Sequence, residues 1–158
     1  MDALPAPAPC IWLTGRRGAG KRTIAAIAAE SSRVHGRRCA VLDAADLAVH
    51  LARGPHDGGL TSLAWVANLL TANGVPVIVT ADLPKRADRD TASALIERYV
   101  EVHVDAPPDV CTARAGVEDR GYEEPIASDR RVPTGDRGER ASAALLLSYL
   151  EALLDPAG

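Results

Sequence analysis

Residues 13–23 read LTGRRGAGKRT, and the fold follows from how that stretch is read. A phosphate-binding loop obeys the template G-x-x-x-x-G-K-[ST], in which glycines let backbone N–H groups converge on an anion and the lysine reaches its terminal phosphates. Gly15, Gly20 and Lys21 fit it, with Gly18 an extra permissive residue inside the loop. The last position departs from the template, because Arg22 stands where a hydroxyl that ligates magnesium is expected.

Such a loop is credible only between a strand and a helix, and both are predicted. CIWLT (residues 10–14) is a short apolar run, and residues 22–34 carry Ile24, Ile27 and Ala28 at helical spacing. Further out, CAVL (39–42) reads as a buried strand ending at Asp43, followed by a helix over 45–52 and a loop over 53–59. Residues 60–72 place Leu63, Val66, Ala67 and Leu70 on one helical face. VPVIVTA (75–81) is a third strand with Pro76 near its entry. A helix over 87–98, a strand VEVHV (100–104), a short helix over 109–114 and a closing amphipathic helix over 139–154 complete the pattern. Strands alternating with helices predict an α/β fold whose mainly parallel sheet is covered on both faces. Residues 115–138 are charged and aperiodic, and an irregular, mobile surface segment is expected there.

With 158 residues, 47% of them apolar, the chain has the material for one ordinary core. A single domain over 10–155 is expected, behind a flexible Pro/Ala tail over 1–9 that lacks the features of a signal peptide. The net charge of −3 excludes a general nucleic-acid binder, although sixteen of the eighteen basic residues are arginine, so any anion site must be local. Cys10, Cys39 and Cys111 are odd in number and far apart, which suits reduced thiols in a cytoplasmic protein and gives no zinc site. No run is apolar for the eighteen or so residues of a membrane span. His35, His50, His56 and His103 lack paired spacing and receive no role.

Gly15, Arg16, Arg17, Gly18, Ala19, Gly20, Lys21, Arg22 and Thr23 are the expected ligand-binding residues, for ATP, another nucleotide or a small anion. Lys21, Asp43 and Asp82 are the catalytic candidates, because acids at strand ends face the crevice above the sheet. Asp43 reads equally well as the N-cap of the following helix, and Asp82 as a cap before Leu83-Pro84. Lys85, Arg86 and Arg89 suit phosphate or adenine contact as well as a solvated helix start. Arg16, Arg17, Lys21 and Arg22 put four cations into seven residues, a repulsion that an anion would relieve.

The wider pattern resembles adenylylsulfate kinase, which phosphorylates the 3'-hydroxyl of adenylylsulfate with ATP. The resemblance runs through IWLTGRRGAGKRTIA, CAVLDAAD, VANLLTANGVPVIVTADLPKRADRD, VEVHVDAPPDVCTAR and GYEEP. It implies a three-layer P-loop NTPase fold, nucleotide as ligand and magnesium as its usual companion. Several family features are changed. The family loop ends GAGKS, against Arg22 here, and the second acid of its L-D-G-D-N segment falls on Ala45. The family's N-I-R-R run falls on Gly59, Leu60, Thr61 and Ser62, its following arginine on Ala48, and its basic lid shrinks to AGVEDRG. The chain contains no phenylalanine to stack on a second adenine. No metal ligand is therefore assigned. The expected function is nucleotide binding with phosphoryl transfer impaired or redirected, in a regulatory or scaffold role; the alternative is an active kinase for adenylylsulfate or another small hydroxyl compound. A surface-facing Trp65 would favour a protein partner or a homodimer. For Arg22 two outcomes stand open: it takes over the metal's charge, or it turns outward into a salt bridge and blocks the metal.

Overall fold

The computed structural model describes residues 3–50 and 59–155. Strand β1 (Cys10–Thr14) is apolar on both sides because it lies at the centre of the sheet, where both faces are covered. Its alternation splits the core in two. Ile11 and Leu13 face helices α1 (Lys21–Val34) and α6 (Glu139–Leu154), through Ile24, Ala28, Leu146 and Leu150. Cys10 and Trp12 face α3 (Leu60–Ala72) and α4 (Arg86–Leu95), through Leu63, Ala64, Ala67 and Ala92. Each fully buried aliphatic side chain in these layers is worth about 1.5–3 kcal/mol.

The remaining strands are β2 (Ala40–Asp43), β3 (Val77–Thr80), β4 (Tyr99–Asp105) and β5 (Arg130–Pro133). Their order is β2-β3-β1-β4-β5, and every pairing is parallel. Leu13 pairs with Thr80 and Asp43 with Thr80, so the ends of β1, β2 and β3 open side by side at one edge. Helix α2 (Ala44–His50) follows β2 directly, and α5 (Pro108–Ala115) opens with Pro108 in its first turn, where no N–H is needed.

Two expectations change. The stretch 115–138 contains β5, whose exposed Arg130 and Arg131 hid the strand; only Val132 is buried, while Arg131 pairs with Asp105 on β4. Charged residues of this kind blunt an edge strand against further pairing. At the N-terminus residues 7–9 lead into β1 under restraint. Ala8 donates its N–H to the Thr71 carbonyl at 2.8 Å, and Arg98 donates to the Pro7 carbonyl at 2.7 Å. The loop expected over 53–59 lies, up to residue 58, outside the described residues.

Candidate active site

The loop from Gly15 to Gly20 joins β1 to α1 at the edge where β1, β2 and β3 end. Two glycines are demanded by geometry. A Cβ on Gly15 would lie 2.5 Å from the Val104 carbonyl oxygen, and Gly18 holds φ +85° while packed against the Cys111 carbonyl. Ala19 is buried, and its carbonyl accepts the Thr134 hydroxyl at 2.6 Å. The first N–H groups of α1 have no helical acceptor, and with the helix dipole they make this end attractive to an anion.

Lys21 lies back over the loop. Its Nζ donates to the carbonyls of Gly15 at 2.7 Å and Arg16 at 3.1 Å, and pairs with Asp82 at 3.2 Å. Asp82 also faces Arg17 Nε at 3.6 Å. Arg16 pairs with Glu124 at 3.5 Å and stacks 5.4 Å above the ring of Tyr122. The Arg17 backbone N–H donates to the Asp119 carboxylate at 2.9 Å. The four cations crowded into the loop are therefore faced by the chain's own acids.

Arg22 turns toward the end of β2. Its Nε lies 3.1 Å from Asp43 Oδ2 and its Nη2 3.1 Å from Asp46 Oδ1. Asp43 is saturated: Oδ1 accepts the N–H groups of Ala45 and Asp46 at 3.0 and 3.2 Å, and Oδ2 accepts the Thr80 hydroxyl at 2.6 Å. Asp43 thus caps α2 while anchoring Arg22. Asp82 is more open, with a side chain 54% exposed, and remains the accessible acid beside Lys21. Thr23 is exposed on the first turn of α1 and, with Gly18, Gly20, Arg114 and Arg137, lines a cavity of about 230 Å³.

Arg89 departs from both readings of its segment. It is 2% exposed, donates to the carbonyls of Leu83, Pro84 and Glu123, and pairs with Glu101 at 3.4 Å. Its work is to pin the segment after Asp82 to the GYEEP stretch. Arg86 likewise reaches Glu123 and the Glu124 carbonyl rather than open solvent alone. Tyr122 is buried between Arg16 and Arg89 and shares a 3.0 Å hydrogen bond with Thr14; burial raises its pKa, so it stays a neutral phenol. His103 stacks on the same ring, and burial lowers its pKa.

A family model described as adenylylsulphate kinase matches residues 8–123, which include the loop, Asp43, Asp82 and Tyr122. The chain belongs to the adenylylsulfate kinase family. It is 41% identical over 110 residues to the adenylyl-sulfate kinase of Rippkaea orientalis, covering 66% of this chain and 61% of that protein. It is 31% identical over 163 residues to that of Halothermothrix orenii, covering 89% and 88%. The chain thus spans 61% of the first of these relatives. In fold it is similar to the Mycobacterium tuberculosis adenylylsulfate kinase CysC solved with AMPPNP and APS, with TM-score 0.78 and 27% identity, covering 93% and 99%.

Membership makes magnesium the implied metal, and the residues here do not fit it. Magnesium demands an octahedron of oxygens, usually with one or two carboxylates. At the position of the family hydroxyl there is a guanidinium, already seated between Asp43 and Asp46, and at the position of the second acid there is the methyl group of Ala45.

Sequence reasoning missed Asp46, Asp119, Glu124 and Tyr122 as neighbours of the loop. Asp46 was the most accessible to foresight, since it lies three residues beyond Asp43, one helical turn along α2.

Proposed function

We propose that this chain is a nucleotide-binding member of the family in which phosphoryl transfer to adenylylsulfate is impaired or redirected, and that it serves a regulatory or scaffold role. The observation that carries this is the ion-paired Arg22, which takes the place of a metal ligand and engages Asp43. Phosphoryl transfer depends on positioning and on charge neutralisation by metal ions that bridge phosphate oxygens, and a fixed guanidinium does not bridge in that way. Binding makes fewer demands: the loop glycines, Lys21 and the start of α1 suffice to hold phosphate. The cavity beside Arg114 and Arg137 offers a place for the rest of the nucleotide.

A partner-binding role draws support from α3, where Trp65 is 63% and Leu69 47% exposed, one turn apart. The partner is a protein or a second copy of the chain. Free Cys10, Cys39 and Cys111 suit a reducing, cytoplasmic setting.

A second reading, an active kinase on adenylylsulfate or another small hydroxyl compound, draws on the 41% identity to a protein named adenylyl-sulfate kinase and on Asp82 standing 3.2 Å from Lys21. Incubation with ATP, magnesium and adenylylsulfate separates the two. The first reading expects ATP to bind and phosphoadenylylsulfate to accumulate at a rate far below ordinary kinase turnover of about 1–100 per second. Turnover within that range would establish the second.

A further inference from the structure

The side chain of Arg22 is built into the end of the sheet. Nε and Nη2 each meet a carboxylate at 3.1 Å, and one of those carboxylates, Asp43, is fixed from behind by two N–H groups of α2 and the hydroxyl of Thr80 on β3. Four elements, α1, β2, α2 and β3, thereby set the position of one guanidinium directly after Lys21. Two of its nitrogens are engaged, while Nη1 has no hydrogen-bond partner among the described residues and the side chain is 64% exposed. Arginine keeps its charge at any working pH and presents five N–H donors, so a guanidinium held by Nε and Nη2 retains donors for a phosphate oxygen.

We propose that Arg22 is a resident cation of the nucleotide site: it supplies the positive charge that a divalent ion would bring with the phosphates, and by engaging Asp43 and Asp46 it keeps such an ion from binding. The proposal rests on the reading that the loop binds nucleotide, and it adds the form in which nucleotide is taken, a metal-free di- or triphosphate. The acids set the limits. Asp43 and Asp46 together carry one charge more than Arg22, which opposes the loss of this cation and leaves the phosphates to be met by the N–H donors that the two carboxylates do not occupy. The arginine is attached to the chain, so no ion has to be recruited from solution.

The test is calorimetric titration of the full chain with ADP at constant ionic strength, once with chelator and once with magnesium. The wild type is expected to show affinities within about twofold of each other. Arg22→Ser is expected to bind ADP at least about tenfold more weakly in chelator and to regain affinity with magnesium, because Asp43 and Asp46 are then released to an ion. Asp46→Asn alters an exposed side chain and guards against a misfolded first variant. It is expected to bind ADP in chelator at least as tightly as wild type, still without response to magnesium. A wild type whose affinity rises more than about twofold with magnesium overturns the proposal while leaving nucleotide binding intact. An Arg22→Ser variant that binds ADP in chelator as tightly as wild type overturns it too. A wild type that binds no ADP in either buffer overturns the nucleotide-binding reading itself.

Discussion

Replacing Arg89 by methionine should cost more stability than any other single change at a charged residue of the site. The guanidinium is buried, and its loss strips donors from the carbonyls of Leu83, Pro84 and Glu123 while leaving Glu101 without its partner. Breaking a buried pair from one side costs about 3–5 kcal/mol, because the surviving charge is left uncompensated. Carbonyls that find water recover part of their share, and methionine fills much of the volume, so Arg89→Met is expected to lose about 3–4 kcal/mol. Adding Glu101→Gln removes the stranded charge and should restore about 1–3 kcal/mol, a coupling readable in a double-mutant cycle. The pH dependence has a definite sign. Burial already raises the pKa of Glu101 and Arg89 pulls it back, so without Arg89 the folded-state value rises further. The deficit of Arg89→Met should therefore grow as pH rises from the ordinary carboxylate range toward neutrality, since the folded state then sheds a proton at a cost the unfolded chain does not bear. Urea denaturation at pH 5 and pH 7.5 measures all three quantities. A loss below about 1 kcal/mol, or strict additivity with Glu101→Gln, would refute the keystone role given to Arg89.

Asp119→Ala removes a carboxylate that the Arg17 N–H holds, so ADP affinity should rise about two- to tenfold at low salt and the gain should shrink as salt screens it, as titrations at two ionic strengths will show. Gly15→Ala should destabilise the fold by about 1–3 kcal/mol, since its Cβ would press on the Val104 carbonyl at 2.5 Å; an unchanged denaturation midpoint would mean that β1 and β4 yield more readily than their packing suggests. His103 is held below its ordinary pKa by burial, so the unfolded chain takes up a proton first as pH falls. Its contribution to stability should be full above about pH 6.5 and decline below that, and His103→Gln should flatten this part of the urea-stability profile.

How much of this was legible beforehand differs from element to element. The strands β1, β3 and β4 are apolar runs between turn residues, and the loop motif fixed the order strand, loop, helix around Gly15 to Lys21, so the parallel architecture followed from pattern alone. Strand β5 escaped because an edge strand with one buried residue, Val132, leaves too little periodicity to read. In the site, the motif located Lys21 and Arg22 but could not orient them, because orientation depends on carboxylates far along the chain: Asp82 for Lys21, and Asp43 and Asp46 for Arg22. The missing acid at Ala45 was visible in the sequence; that Asp46 reaches the same guanidinium was not, since it requires the turn of α2 capped by Asp43. The charge crowding of the loop is visible in the sequence; the carboxylates that face it, Asp43, Asp46, Asp82, Asp119 and Glu124, come from elsewhere in the chain.

If the loop between β1 and α1 holds a nucleotide's phosphates, titration of the wild-type chain and of Lys21→Ala with ADP, at low and at high salt, will register it. Saturable binding of one ADP per chain is expected, weakening with salt and falling at least about tenfold in Lys21→Ala, because the contacts are ionic and converge on that amine. Binding that Lys21→Ala leaves unchanged, or no saturable binding by the wild type at any salt, would contradict it.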